Sequence, residues 1–288
     1  MLTDLFSRKA IRILLLLKLK NKYSRIFKLK LKKIIKSIPR LLALALVVLS
    51  VLVSCRPHAP SMGGGNIRPS DNVPKRFTPD EDKIATFENG PPEGFWPRND
   101  HGNGYPFNCE FRSSNIWFEN GIMTLALNKQ DNRYVGAEYR TWGRFSYGYY
   151  SVSMKAASCD GVISSFFTYT GHPWDEIDIE FLGHDMTIVQ FNYYTNGVGG
   201  HEYYYELGFD ASKDFHEYGF DWQPDSITWY VDGKAVYRAT ENIPSASGQI
   251  MMNLWNVHES NSSWAGRFDE SKLPVYAQYE WIGYKSAE

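Results

Sequence analysis

Asp175-Glu176-Ile177-Asp178-Ile179-Glu180 alternates acidic and apolar side chains at strict period two. In a β-strand that alternation sends Glu176, Asp178 and Glu180 to one face and Ile177, Ile179 and Phe181 to the other. Three carboxylates along one face repel one another and cost stability. A strand selected only for folding would rarely keep them. Paired carboxylates, one protonated and one ionised, are what glycoside hydrolysis needs.

The spacing is compatible with that chemistry. On a flat strand the Cα atoms of Glu176 and Glu180 lie roughly 13 Å apart, four rises of about 3.3 Å. Retaining glycosidases hold their two carboxyl groups about 5–5.5 Å apart and inverting ones about 6.5–9.5 Å. Two Glu side chains leaning together on a concave sheet can close the difference. Asp178, shorter and between them, can hydrogen-bond or tune either neighbour. Crowding also raises the pKa of at least one group, which keeps an acid protonated near neutral pH. Strand geometry alone does not say which Glu plays which part.

The elements that must position these groups are strands. Alternating or apolar runs recur at 122–128, 148–154, 162–169, 176–181, 188–194, 226–231, 249–254 and 279–284. Between them stand turn signals, among them Glu119-Asn120-Gly121, Cys159-Asp160-Gly161, Thr195-Asn196-Gly197 and Val231-Asp232-Gly233. Helical periodicity is nearly absent after residue 81. The pattern predicts an all-β domain over 81–288, a sandwich of two antiparallel sheets.

Charge divides the chain. Residues 1–40 carry thirteen Lys or Arg against one acid, Asp4, about +12. The remaining eighteen bases and thirty-one acids give about −13. An acidic domain argues against nucleic acid as its ligand. Nearly all Trp and Tyr lie after residue 90, which fits a neutral polyol such as a sugar polymer, with rings for pyranose faces and carboxylates and amides for hydroxyls. Leu41–Val53 is an apolar run broken only by Ser50, too short for a membrane span and suited to a signal peptide. It ends in Leu52-Val53-Ser54-Cys55, which resembles a bacterial lipobox with Cys55 as the lipidated residue; ordinary cleavage nearby is the alternative. Residues 1–55 therefore read as a basic region and lipoprotein-type signal. Residues 56–80, rich in Pro, Gly, Ser and Asn, read as a flexible linker. The expected location is extracellular or at the cell surface, anchored to the membrane through lipid on Cys55.

Trp174-Asp175-Glu176-Ile177-Asp178-Ile179-Glu180-Phe181-Leu182-Gly183 resembles the active-site motif of glycoside hydrolase family 16. The segments 189–202, Phe220-Asp221-Trp222-Gln223-Pro224 and Met251-Met252-Asn253-Leu254-Trp255-Asn256 narrow the resemblance to the bacterial endo-β-1,3-1,4-glucanases, the licheninases. It runs from about Ala85 to Tyr284. It implies a concanavalin A-like jelly-roll with a concave substrate cleft. It also implies retaining hydrolysis of β-1,4 linkages in mixed-linkage glucan by double displacement. By motif position Glu176 is the nucleophile, Glu180 the acid and base, and Asp178 their assistant. Laminarinases of this family carry an extra residue before the second Glu, giving a β-bulge; here the spacing is regular, as in licheninases and plant xyloglucan enzymes.

The resemblance further implies sugar contacts from Asn103, Phe107, Glu138, Arg140, Phe167, Tyr169, Trp174, Asn192, Tyr194, Asn253, Trp255 and Trp264. For Trp255 and Phe167 the sandwich core is the competing place, and for Glu138 and Arg140 a solvated ion pair. His201 and His216 read as structural or surface residues. No cofactor is required for the chemistry. A structural calcium ion is expected at positions matching Asn89, Gly121 and Glu280, where the family more usually has a Pro carbonyl and an Asp. The usual partner of Cys109 in a family disulfide is Gly136 here, so that bridge is absent; pairing with Cys159 stays open. The expected partner is β-glucan, with no nucleic acid and a monomeric domain. The competing readings are a same-fold hydrolase of laminarin or xyloglucan and a glucan-binding lectin, which would not need the Glu176/Glu180 pair.

Overall fold

The computed structural model describes Ile67, Lys75 and residues 83–287. The expected signal, Cys55 and most of the expected linker lie outside the described residues. Among the described residues there are sixteen strands: β1 (Lys83–Thr86), β2 (Phe95–Pro97), β3 (Glu110–Phe111), β4 (Ile116–Glu119), β5 (Ile122–Gln130), β6 (Arg133–Thr141), β7 (Gly148–Lys155), β8 (Val162–Tyr169), β9 (Glu176–Leu182), β10 (Ile188–Tyr194), β11 (Tyr203–Glu206), β12 (His216–Gln223), β13 (Ser226–Val231), β14 (Lys234–Ala239), β15 (Gln249–Asn256) and β16 (Val275–Ser286).

They form two antiparallel layers. The first runs β11-β10-β9-β8-β15-β6, with β2 beyond β6; the second runs β5-β16-β7-β12-β13-β14, with β4 on β5 and β1 on β16. The β5–β6 hairpin joins them through Asp131 and Asn132, both at positive φ, with Gln130 paired to Arg133. The two layers stack as the sandwich that the alternation predicts. All eight expected strands are present, most of them longer than the patterned run. The other eight, β1, β2, β3, β4, β6, β11, β12 and β14, are additions.

The core lies between the layers, filled by the inward half of each alternation. Ile177, Ile179 and Phe181 of β9 are fully buried there. Phe181 meets Tyr218 of β12 edge-on at 4.8 Å, and Phe191 stacks on Trp229 at 5.6 Å. Polar ties cross the same gap: Trp229 Nε1–H donates to the Asp178 carbonyl at 3.2 Å, and Tyr279 O–H to that of Ser165 at 3.0 Å. The apolar face of the acidic strand is therefore pinned, which forces its carboxylates outward. At Asp232-Gly233 both residues take positive φ, and Val231 pairs with Lys234 in a two-residue hairpin.

Two residues of the expected linker touch the outer face of the second layer. Ile67 packs with Tyr149, Tyr230 and Ala235. The Lys75 N–H donates to the Gly233 carbonyl at 3.0 Å, and its ammonium pairs with Asp221.

Candidate active site

Strand register rules the outer face of the first layer into rows. One row runs Trp96–Arg140–Met251–Phe167–Asp178–Asn192. Beside it runs Glu138–Asn253–Ser165–Glu180–Gln190–Tyr204. On the other side lies Gln249–Tyr169–Glu176–Tyr194. Each residue sits opposite its neighbour in the next strand, so residues from distant segments form one floor. The three carboxylates occupy adjacent rows at the middle strand. No register shift interrupts the pairing of β9 with β8 or β10 over Glu176–Glu180.

Each acid has its own surroundings. The Trp174 indole N–H donates to Glu176 Oε2. Asp178 is buried and hydrogen-bonds Glu176. Gln190 Nε2–H donates to Glu180 Oε2 at 2.8 Å, and Gln190 is itself held by Trp264 Nε1–H on its Oε1 at 2.8 Å. Burial raises all three carboxyl pKa values. For Glu180, pushed up to about 7, the Glu202 carboxylate adds to the rise and Gln190 opposes it. For Asp178 the charges of Glu176, Glu180 and Glu202 add to burial, and so does its bond to Glu176. A proton held on Asp178 and donated to Glu176 accounts for that bond. With the indole, it gives Glu176 two donors that favour its ionised form and oppose the burial that pushes its pKa up to about 8.

Aromatic side chains wall the floor. Trp174 stacks on Tyr194 at 4.5 Å, an approach that needs Gly199, since a Cβ there would lie 2.3 Å from the Tyr194 ring. Phe107 stacks on Trp255 at 3.9 Å, with Trp264 beyond at 6.2 Å. Trp255 is almost wholly covered and packs with the core, so Phe107 and Trp264 form the partly exposed part of that wall. Phe167 is buried but sits in the cleft row between Met251 and Asp178. Ser165 Oγ–H donates to Asn253 Oδ1 at 2.6 Å.

Glu138 departs from its expected role as a sugar contact. It is fully buried, tied to Arg140 and, at 3.4 Å, to Arg98, which also donates to Asn103. Its carboxylate therefore orients two arginines and does not meet solvent; a solvated pair is equally excluded. His201 stacks on Tyr193, and His216 pairs with Asp232 at 2.8 Å on the second layer, both structural as expected. Asp175, the first acid of the motif, turns away from the floor. Its carboxylate accepts the N–H groups of Asn196, Ser245 and Ala246 at 2.8–3.0 Å. Period two in Gln190-Phe191-Asn192 was the signal for Gln190; Arg98, Glu202 and Trp96 had none.

The family model for glycosyl hydrolases family 16 matches residues 103–283. This chain belongs to glycosyl hydrolases family 16. The family 16 chain is similar to a beta-glucanase of Paenibacillus polymyxa, 53% identical over 198 residues, covering 66% of this chain and 82% of that one. It is 51% identical over 211 residues to a beta-glucanase of Acetivibrio thermocellus, covering 70% of this chain and 61% of the relative's length. Among solved structures, a beta-1,3-1,4-glucanase (lichenase) from a mouse hindgut metagenome superposes with a TM-score of 0.68 at 47% identity, over 70% of this chain and 98% of that one.

Two of the three positions expected to hold calcium meet. Gly121 and Glu280 border one surface hollow of about 620 Å³ with Glu88 and Asn120, and Asn89 is not among the residues around it. Glu280 Oε2 is turned to Ser153, whose Oγ–H donates to it at 2.6 Å. No cluster of three His, Cys, Asp or Glu suited to a metal exists among the described residues. Cys109 and Cys159 are both free and buried. A Cβ on Gly136 would lie 2.9 Å from Cys109 Sγ, so Cys109 abuts the position that lacks its family partner.

Proposed function

We propose that the protein is a retaining endo-glucanase that cuts β-1,4 linkages in mixed-linkage β-1,3-1,4-glucan. The observation that carries this reading is the row of Glu176, Asp178 and Glu180 on an unbulged strand at the middle of an aromatic-walled cleft. The regular register favours mixed-linkage glucan over laminarin. The names of the beta-glucanase and lichenase relatives support it.

In the first step Glu176 attacks the anomeric carbon, and the Glu180 carboxyl protonates the departing glycosidic oxygen. A covalent glycosyl–Glu176 ester forms as the C–O bond breaks. In the second step Glu180, now ionised, removes a proton from water, which attacks the same carbon and releases Glu176. Asp178 holds a proton against Glu176 in the resting state and orients it. Trp174, Tyr194, Phe107 and Trp264 offer ring faces, while Arg140, Asn103, Asn192, Asn253 and Tyr169 bind hydroxyls. This chemistry asks for no cofactor. Export and lipid attachment through Cys55 belong to the same proposal, supported by the Leu41–Val53 run and the Leu52-Val53-Ser54-Cys55 sequence.

The test is reducing-sugar release by the purified protein from barley β-glucan, laminarin, xyloglucan and carboxymethylcellulose in parallel. Activity confined to barley β-glucan is expected. Activity mainly on laminarin or xyloglucan overturns the substrate. Binding to all without cleavage overturns hydrolysis and leaves a lectin.

A further inference from the structure

Trp142 is 67% exposed, the most exposed of the large apolar side chains among the described residues. An indole of that size left in water needs a reason. It follows the last residue of β6, two positions after Arg140, and its ring stacks on Trp96, which pairs with Arg140 across the β2–β6 ladder. The opposite face is fixed by Tyr139 and Thr141, both buried, with Phe95 of β2 stacked on Tyr139 at 5.6 Å. Trp96, Arg140 and Trp142 therefore all project on the cleft side, and Trp96 is the end of the row that contains Asp178.

These side chains are stacked in series. Trp142 lies on Trp96 with ring centres 4.9 Å apart and planes 24° from parallel. The Arg140 guanidinium lies 4.8 Å from the Trp96 ring centre, and the same guanidinium is tied to the buried Glu138 carboxylate. The Trp142 N–H donates to the Gly94 carbonyl at 2.8 Å, which fixes the backbone. An exposed ring held this firmly loses little freedom when a ligand covers it.

We infer that Trp142, backed by Trp96 and Arg140, is a distal sugar-binding platform that extends the cleft past Arg140 at the end of β6. Its ligand is one β-linked glucosyl unit of the same chain that is cut at Glu176 and Glu180. The reason is continuity: from β9 to β6 and β2 is three to four strand spacings, roughly 14–19 Å at about 4.8 Å each, a few sugar units from the cleavage point. A planar apolar ring beside cationic N–H donors matches the apolar face and hydroxyl rim of a pyranose. The inference rests on the glucanase reading, so its test must fail separately from that reading.

The full-length protein, Trp142→Ala and Trp142→Tyr are compared by kcat and KM on barley β-glucan and on mixed-linkage oligosaccharides of increasing length. Gel retardation by barley β-glucan gives binding without turnover. The alanine variant should raise KM about three- to tenfold for the polymer and the longest oligosaccharides, with kcat little changed. The shortest substrates, which do not reach the platform, should not distinguish it from the wild type, and tyrosine should restore most of the loss. Wild-type KM at every length, with unchanged retardation, overturns the platform while leaving the glucanase intact. Wild-type protein that is retarded but does not cleave overturns the glucanase; the platform then stands if Trp142→Ala loses retardation and falls if it does not.

Discussion

Gln190 stands directly opposite Glu180 across the β9–β10 ladder and donates Nε2–H to its Oε2 at 2.8 Å. That bond stabilises the ionised carboxylate and holds its pKa below the level that burial alone would set. Gln190→Leu should therefore raise the pKa of Glu180. The alkaline limb of the kcat/KM profile, which reports loss of the acid's proton, should move to higher pH. A limb that stays in place would show that Glu180 is not the acid.

Replacing Glu176 by Gln should abolish hydrolysis and leave sugar binding nearly intact, because the carboxylate nucleophile is lost while the floor remains. Turnover at the wild-type rate would remove Glu176 from that role.

The acidic cluster costs stability. Glu180 rises from an ordinary 4.5 to about 7 in the folded state. A carboxyl raised on folding gives its full contribution below the unfolded value and loses it as pH climbs through the folded one. The penalty thus grows between about pH 4.5 and 7. Glu180→Gln should melt above the wild type near pH 8, with the gap narrowing near pH 4. Scanning calorimetry at the two pH values checks this; a gap independent of pH contradicts it.

Asp175→Ala should damage the fold more than the chemistry. It leaves the N–H groups of Asn196, Ser245 and Ala246 without their acceptor. A loss of about 2–4 kcal/mol is expected, a fall of roughly 5–15 °C in Tm for a domain of this size. An unchanged melting curve would show that water replaces the carboxylate.

Burial pushes the Cys109 thiol up to about 12 and raises Cys159 as well. Neither should react with Ellman's reagent until the domain is denatured, and reductant should not change Tm. Rapid labelling of the native domain would place a thiol at the surface.

On the lipoprotein reading, Cys55→Ala should release the protein from the membrane fraction of cells that express it. Retention by that variant would point to the Leu41–Val53 segment itself as the anchor.

Period two made most of the architecture legible: β9 and its neighbours announce both faces in their sequences. β6 was harder because the turn before it, Asp131-Asn132, reaches positive φ without glycine. β12 hides its inward Tyr218, Phe220 and Trp222 among the polar Glu217 and Asp221. The three acids were legible as a set because alternation fixes a face. Depth was not. Glu138 and Arg140 share a face as expected, yet only the folded chain shows that Glu138 is sealed beneath two arginines, one from a segment forty residues earlier. Trp96 reaches the cleft through its pairing with β6, a relation that local sequence does not encode.

The alternation of acid and isoleucine in β9 also acts against mispairing. A slip of one residue would drive Glu176, Asp178 and Glu180 between the layers and turn Ile177, Ile179 and Phe181 to water. Few strands would suffer so much from so small an error. The carboxylates that burden the native state penalise its nearest misfolded competitor far more heavily, so the same six residues that make the strand reactive also proofread its place in the sheet.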